Sequence, residues 1–160
     1  MQVPNGYIPL PLGPDFNGHL GPFYGAAFPD GIRLGTRLLE HHLNAFGTAH
    51  GGAIAAIADL TGLLVQQMSG HTDRATLTVS LTIQYLDRSF HGEWMNLRPT
   101  LLGATKSLLF TKSGVYADDR LVAQSTAIFR IGSVTKVPFA TLGHFFADNF
   151  PGSVPEPLTV

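Results

Sequence analysis

Cysteine is absent, and charge is scarce: Lys, Arg, Asp and Glu make up 13% of the 160 residues, about half of the ~25% usual in soluble domains. The first absence excludes disulfide frameworks, thiolate metal sites and cysteine nucleophiles together. The second leaves few charged groups to cover a monomer's surface, so a buried interface between subunits is expected. Ten basic side chains face eleven acidic ones, for a net charge of −1. Such a chain has no global field to attract nucleic acid or an anionic membrane, and an anionic ligand must be held by a few local cations. A long apolar run is missing too. The most apolar stretch, Ala53 to Val65, has 13 residues with Asp59 near its middle, whereas a membrane span needs ~20. It reads as a core helix. No Lys or Arg precedes Arg33, so the basic start of a secretory signal is not found and the expected address is the cytoplasm.

The hydrophobic fraction is 44%, which excludes disorder, and the length suits one domain with a sizeable core. Proline divides it. Six of eleven prolines lie within residues 1–31, four follow residue 137, and only Pro99 falls between. Proline lacks the amide a sheet needs, so the middle can be mostly sheet while the ends cannot. Residues 1–31 read as an extended Pro/Gly-rich arm with a short ordered piece from Phe16 to Tyr24. Residues 32–137 form the main domain. Residues 138–160 are a tail whose Phe139, Phe145, Phe146 and Phe150 are expected to dock on the body or on another subunit.

Within the middle, Ile32 to Leu43 reads as a strand. Gly51 to Met68, free of proline and apolar nearly all round, reads as one helix buried on most sides. From Thr76 to Tyr85 the alternation is strict. Leu77, Val79, Leu81, Ile83 and Tyr85 take one face, and Thr76, Thr78, Ser80, Thr82 and Gln84 the other, as in a half-buried strand. Glu93 to Gly103, Leu108 to Tyr116 and Leu121 to Ile131 are further strands, with a hairpin turn at Ala117-Asp118-Asp119-Arg120. One apolar helix and about five antiparallel strands imply an α+β fold, a curved sheet wrapped around the helix.

Asp59 carries the most chemistry. An uncompensated carboxylate in Ala53–Val65 costs several kcal/mol. Either it leaves the helix on a face that meets solvent or a structural partner, or it is held partly desolvated at a cleft as a base or nucleophile. Just ahead lies Asn44-Ala-Phe-Gly-Thr-Ala-His50-Gly51-Gly52. Two glycines at a helix start admit close approach to the backbone, and the free amides there favour negative charge such as an oxyanion. Equally, the segment serves as a plain loop and helix start, with Thr48 as cap and His50 as scaffold. Gly51 and Asp59 are eight residues apart, which on one helix is ~12 Å. They cannot both reach one carbonyl carbon. If both are catalytic, the carboxylate must meet the Gly51 amide of another copy across a two-fold axis.

The Asn44–Gly52 stretch followed by an apolar helix with Asp59 resembles the motif of hotdog-fold thioesterases of the phenylacetate-degradation (PaaI-like) group. The resemblance runs from about Phe16, through His19-Leu-Gly-Pro-Phe23-Tyr24, to Ser125-Thr-Ala-Ile-Phe-Arg130. It implies hydrolysis of acyl-CoA or aryl-CoA thioesters by a dimer or dimer of dimers, with sites at the subunit interface. No metal or organic cofactor is implied, CoA being part of the substrate. By position, Gly51 supplies the amide that polarises the thioester carbonyl. Asn44 helps hold the carbonyl or water, and Asp59 of the partner subunit acts as general base or nucleophile. Thr78, or Thr76 in a slipped register, assists the carboxylate, and His50 orients the loop.

CoA phosphates need cations, for which Lys106 and Arg130 are the candidates, with Arg88 and Lys112 behind them. His41 and His42, adjacent on the expected strand, point to opposite faces and make a poor metal pair. Asp118 and Asp119 read as turn formers, and His71-Thr-Asp73 as a loop. Phe46, Phe110 and Phe129 suit an aryl or apolar acyl group and equally a plain core. The alternatives are a hotdog hydratase or dehydratase and a non-catalytic acyl-CoA sensor. Against the sensor stands the cost of Asp59, which ligand binding alone does not require.

Overall fold

The first 31 residues contain more sheet than their prolines suggest. Pro22 and Pro29 bracket a proline-free run, and that run is a strand. In the computed structural model, which describes residues 2–137 and 141–156, the chain begins with β1 (Ile8–Pro9), α1 (Phe16–Leu20), β2 (Phe23–Phe28) and β3 (Gly31–Arg37). After a 3₁₀ turn at Glu40–His42 come α2 (Gly51–Asp59), α3 (Thr61–Met68) and β4 (Arg74–Tyr85). The remainder is β5 (Trp94–Ala104), β6 (Leu108–Ala117), β7 (Arg120–Val134) and α4 (Phe145–Asn149). The seven strands form one antiparallel sheet in the order β1-β2-β3-β5-β6-β7-β4. The expected arm boundary at residue 31 therefore falls inside the β2–β3 hairpin, where Phe28 pairs with Gly31.

Two expectations of regular structure give way to local chemistry. The strand expected over Ile32–Leu43 stops at Arg37, because the Leu39 amide donates to His42 Nδ1 at 2.9 Å and folds the chain into the 3₁₀ turn. His41 and His42 thus do not alternate across a strand; their ring centroids lie 4.0 Å apart. The helix expected over Gly51–Met68 is interrupted at Leu60, where the amides of Leu60 and Leu63 reach back only three residues, to Ile57 and Leu60. Such tightened bonds mark a 3₁₀-like joint within a helical run. Asp59 is the last residue before it.

Ile54, Ile57, Ala58 and Leu64 of the two helices and Leu60 at their joint enter one core with Leu34, Leu97 and Val115 of the sheet. The tail joins this core directly: Phe146 is fully buried, and a side chain at Gly25 of β2 would collide with Phe145 and Phe146. Of its four phenylalanines, Phe145, Phe146 and Phe150 dock on this chain's own body, and Phe139 lies outside the described residues. Pro99 is accommodated because β3 pairs with β5 only as far as Leu97, leaving that side of Pro99 without a strand to serve. The turn at Asp118-Asp119 is as expected, with Asp118 at φ 51° and Ala117 paired to Arg120.

The alternating strand departs most from its expectation. β4 pairs with β7 along one side and, among the described residues, has no strand on the other. The strict alternation breaks at a bulge between Thr78 and Ser80: Thr78 shares the side of buried Phe129, Leu81 and Ile83 turn to the core after it, and Leu77, Val79 and Tyr85 are 57%, 59% and 53% exposed. A long apolar edge strand with free backbone groups is a surface made for pairing. No helix among the described residues is long and apolar enough to cross a membrane.

Candidate active site

The donor end is built by the loop from Asn44 to His50. The Asn44 side chain closes it, with Oδ1 accepting from the Phe46 amide at 2.9 Å and from the Thr48 amide at 3.3 Å. Asn44 Nδ2 donates to Thr48 Oγ1 at 3.0 Å, and Gly47 takes φ 74°. Asn44 thus holds its own loop. Thr48, the expected cap, is occupied by Asn44, and the cap of α2 is His50, whose Nδ1 accepts from the Gly52 amide at 2.9 Å. A second loop supports the first through Ala49 N donating to Ser89 O at 2.8 Å, with a bridge between Thr48 and Phe90. The backbone amides of Ala53 and Ile54 both donate to His50 O. Among the described residues, Gly51 alone in this first turn has an amide with no acceptor. That leaves one N–H, at the positive end of α2, available to an incoming oxygen.

The carboxylate end lies at the other end of α2. Asp59 is half-buried, and its Oδ1 accepts from Thr78 Oγ1 at 2.7 Å. β4 delivers that hydroxyl at a bulge between Thr78 and Ser80, opposite Phe129 of β7. Both residues face a cleft of about 350 Å³. Its apolar wall includes Leu63, Leu77 and Phe129, and its polar wall is Asn17 of α1 and Asp15, which caps that helix. Thr76 lines the same cleft, so the structure brings Asp59, Thr78 and Thr76 together. It does not bring Gly51, His50 or Asn44 to them. α2 is continuous between Gly51 and Asp59, so the ~12 Å rise stands.

The other expected residues lie elsewhere. Arg130 points away from buried Phe129 to the outer face of the sheet, and Ile131 N donating to Ser107 O at 2.9 Å draws the Lys106 loop beside it. Both cations are exposed, and neither lines the cleft. Arg88 sits in the loop that supports the donor end, while Lys112 lies on the outer face with Arg98 and Gln124. Of the three phenylalanines, only Phe129 lines the cleft; Phe110 lies on the outer face and Phe46 is 90% exposed. Among the described residues, no three His, Asp or Glu side chains cluster as metal ligands.

One residue that the spacing did not single out ties this site together. His42 is fully buried; it accepts from Leu39 N, its Nε2 meets Leu20 O at 2.5 Å, and its own carbonyl accepts from His50 N at 2.7 Å. It thus joins the end of α1 to the residue that caps α2. Burial holds its pKa below the usual histidine value, against the opposing bond to Leu20 and with a smaller push from His41. The folded protein therefore binds a proton here less readily than the unfolded chain. Stability should be full above ~pH 6.5 and fall as pH drops from there towards the folded-state pKa. Thermal melts from pH 5 to 8 should show this slope in the wild type and lose part of it in His42→Leu. The variant should also melt lower at every pH, since each orphaned group costs about 1–3 kcal/mol. Equal slopes in the two proteins would reject this role.

Residues 46–124 match the thioesterase superfamily. A relative from Pseudomonas aeruginosa, named provisionally as an esterase, is 27% identical over 134 residues, covering 82% of this chain and 98% of the relative. Among solved structures, a single-residue mutant of the phenylacetic acid degradation protein PaaI from Thermus thermophilus gives a TM-score of 0.62 at 22% identity. That match covers 72% of this chain and 96% of the other. A Streptococcus mutans protein bound to acetyl-CoA gives 0.62 at 23% identity, over 71% and 91%. These likenesses agree with the sheet order and the central helical run described above. The chain has the hotdog fold, and its residues 46–124 match the thioesterase superfamily.

Proposed function

We propose that this protein hydrolyses acyl-CoA or aryl-CoA thioesters to the free acid and CoA, at sites shared across a homodimer. The observation that carries the reading is the placement of an unused amide and a Thr78-bonded carboxylate at opposite ends of one helix. Each is half of an acyl-transfer site, and two copies related by a two-fold axis complete both. The open edge of β4, with exposed Leu77 and Val79 along it, supplies the seam, and such dimers can pair further into a dimer of dimers.

In this reading the thioester oxygen accepts from Gly51 N–H, and the acyl group enters the cleft beside Asp59 of the partner subunit. The carboxylate takes a proton from water as the water oxygen attacks the carbonyl carbon. Negative charge moves to the former carbonyl oxygen, where the Gly51 amide stabilises it. Collapse breaks the carbon–sulfur bond; CoA leaves as thiolate and receives the proton. The same carboxylate, attacking directly, would give an anhydride that water then cleaves. Thr78 orients the carboxylate, while His50 and Asn44 hold the donor loop. Lys106 and Arg130 are the proposed phosphate contacts, and no metal or organic cofactor takes part.

Thiol release from a panel of short, medium, long and aryl CoA thioesters tests the proposal. Turnover of at least one class is expected. A protein inert on all of them that still binds CoA esters is a sensing module, and the proposal then fails.

A further inference from the structure

The geometry points to Tyr85 as a positioning residue for the oxyanion donor, an inference that rests on the hydrolytic reading above. Gly51 and Gly52 carry no side chains, so packing alone does little to fix the start of α2, and glycine is the residue with most backbone freedom to lose. Three bonds outside the helical ladder hold it. His50 N donates to His42 O, and Gly52 N donates to His50 Nδ1; these fix the residues on either side. The third is made by Gly51 itself, whose carbonyl accepts from the Tyr85 hydroxyl at 2.9 Å. The Tyr85 ring also lies against Gly51: a Cβ built there would sit 3.6 Å from Cζ and from the hydroxyl oxygen, an ordinary contact. Gly51 is the residue whose amide is left free. Tyr85 therefore holds the peptide unit next to the donor's, which shares the Gly51 Cα with it and so limits how far the free N–H can swing.

The placement of Tyr85 adds to this. It is the last residue of β4, seven positions after Thr78, so one edge strand steadies both working groups of a protomer. The hydroxyl is not needed for burial, since the residue is 53% exposed. Its bond to Gly51 is the feature that phenylalanine would lack.

Tyr85→Phe, kept beside wild type and Asp59→Asn in the thiol-release assay, is the test. The expected result is a kcat about 10-fold lower with KM unchanged, because a displaced donor loses contact chiefly with the transition state. Affinity for a thioether analogue, which has no carbonyl to polarise, should stay as in wild type, as should the oligomeric state in sedimentation. An unchanged kcat overturns the inference. So does a raised KM with kcat retained, which would make Tyr85 a substrate contact, and so does dissociation into monomers, which would make it part of the seam. Wild-type activity with Asp59→Asn inactive and Tyr85→Phe normal removes this inference alone. A wild-type protein inert on every thioester removes both.

Discussion

Asp59→Asn is expected to lower turnover of the best thioester by at least ~100-fold while the protein remains folded. The substitution preserves shape, and the amide oxygen can still accept from Thr78 Oγ1, which lies 2.7 Å from Oδ1. What disappears is the charge and basicity that either route of attack requires. Stability should not fall. The carboxylate is half-buried in an apolar helical run, so its desolvation is a cost that the neutral amide reduces. KM should change little, because the carboxylate acts on the attacking atoms and leaves the CoA contacts intact. The measurement is steady-state thiol release, with thermal melts alongside. Hydrolysis at a near-normal rate would remove Asp59 from the chemistry.

The parts of this site that were legible in the sequence are those whose signal is local. Asp59 stands out because nothing near it in Ala53–Val65 is charged, and the Gly51-Gly52 pair marks a helix start that a ligand can approach. The alternation of β4 put Thr78 on the face opposite Leu81, Ile83 and Tyr85, but the bulge between Thr78 and Ser80 brings it to their helix-facing side, where it bonds Asp59. Interactions between distant segments were not legible. His42 reads as one of two adjacent histidines until Leu20 and Leu39 are seen around it. Tyr85 reads as one more apolar-face residue of its strand until its hydroxyl is seen at Gly51. The N-cap went to His50 rather than Thr48 because Asn44 engages Thr48, a contest between side chains that no propensity decides. β2 is masked by the proline content of residues 1–31 as a whole, although no proline lies between Pro22 and Pro29.

Gly51→Pro addresses the donor as directly as Asp59→Asn addresses the carboxylate. Proline removes the N–H, and Gly51 is the first residue of α2, the helical position where proline is best tolerated. His50 already has φ −65° and ψ 134°, the conformation that a residue before proline prefers. No hydrogen bond is lost, since the Gly51 amide has no acceptor among the described residues. Folding should therefore survive while turnover falls by ~10²–10³, the usual cost of one oxyanion donor. Each variant is then nearly inactive alone, and the two together test the shared site. Refolded as an equal mixture, half of the dimers pair one subunit of each kind. In those, one site combines the intact Gly51 of one subunit with the intact Asp59 of the other, and the second site has neither. Activity should return to about a quarter of the wild-type value. A site contained within one subunit gains nothing from mixing, so failure to recover activity from properly mixed dimers would place both groups elsewhere. Recovery from two inactive proteins, with no new residue added, has no source but the seam between them.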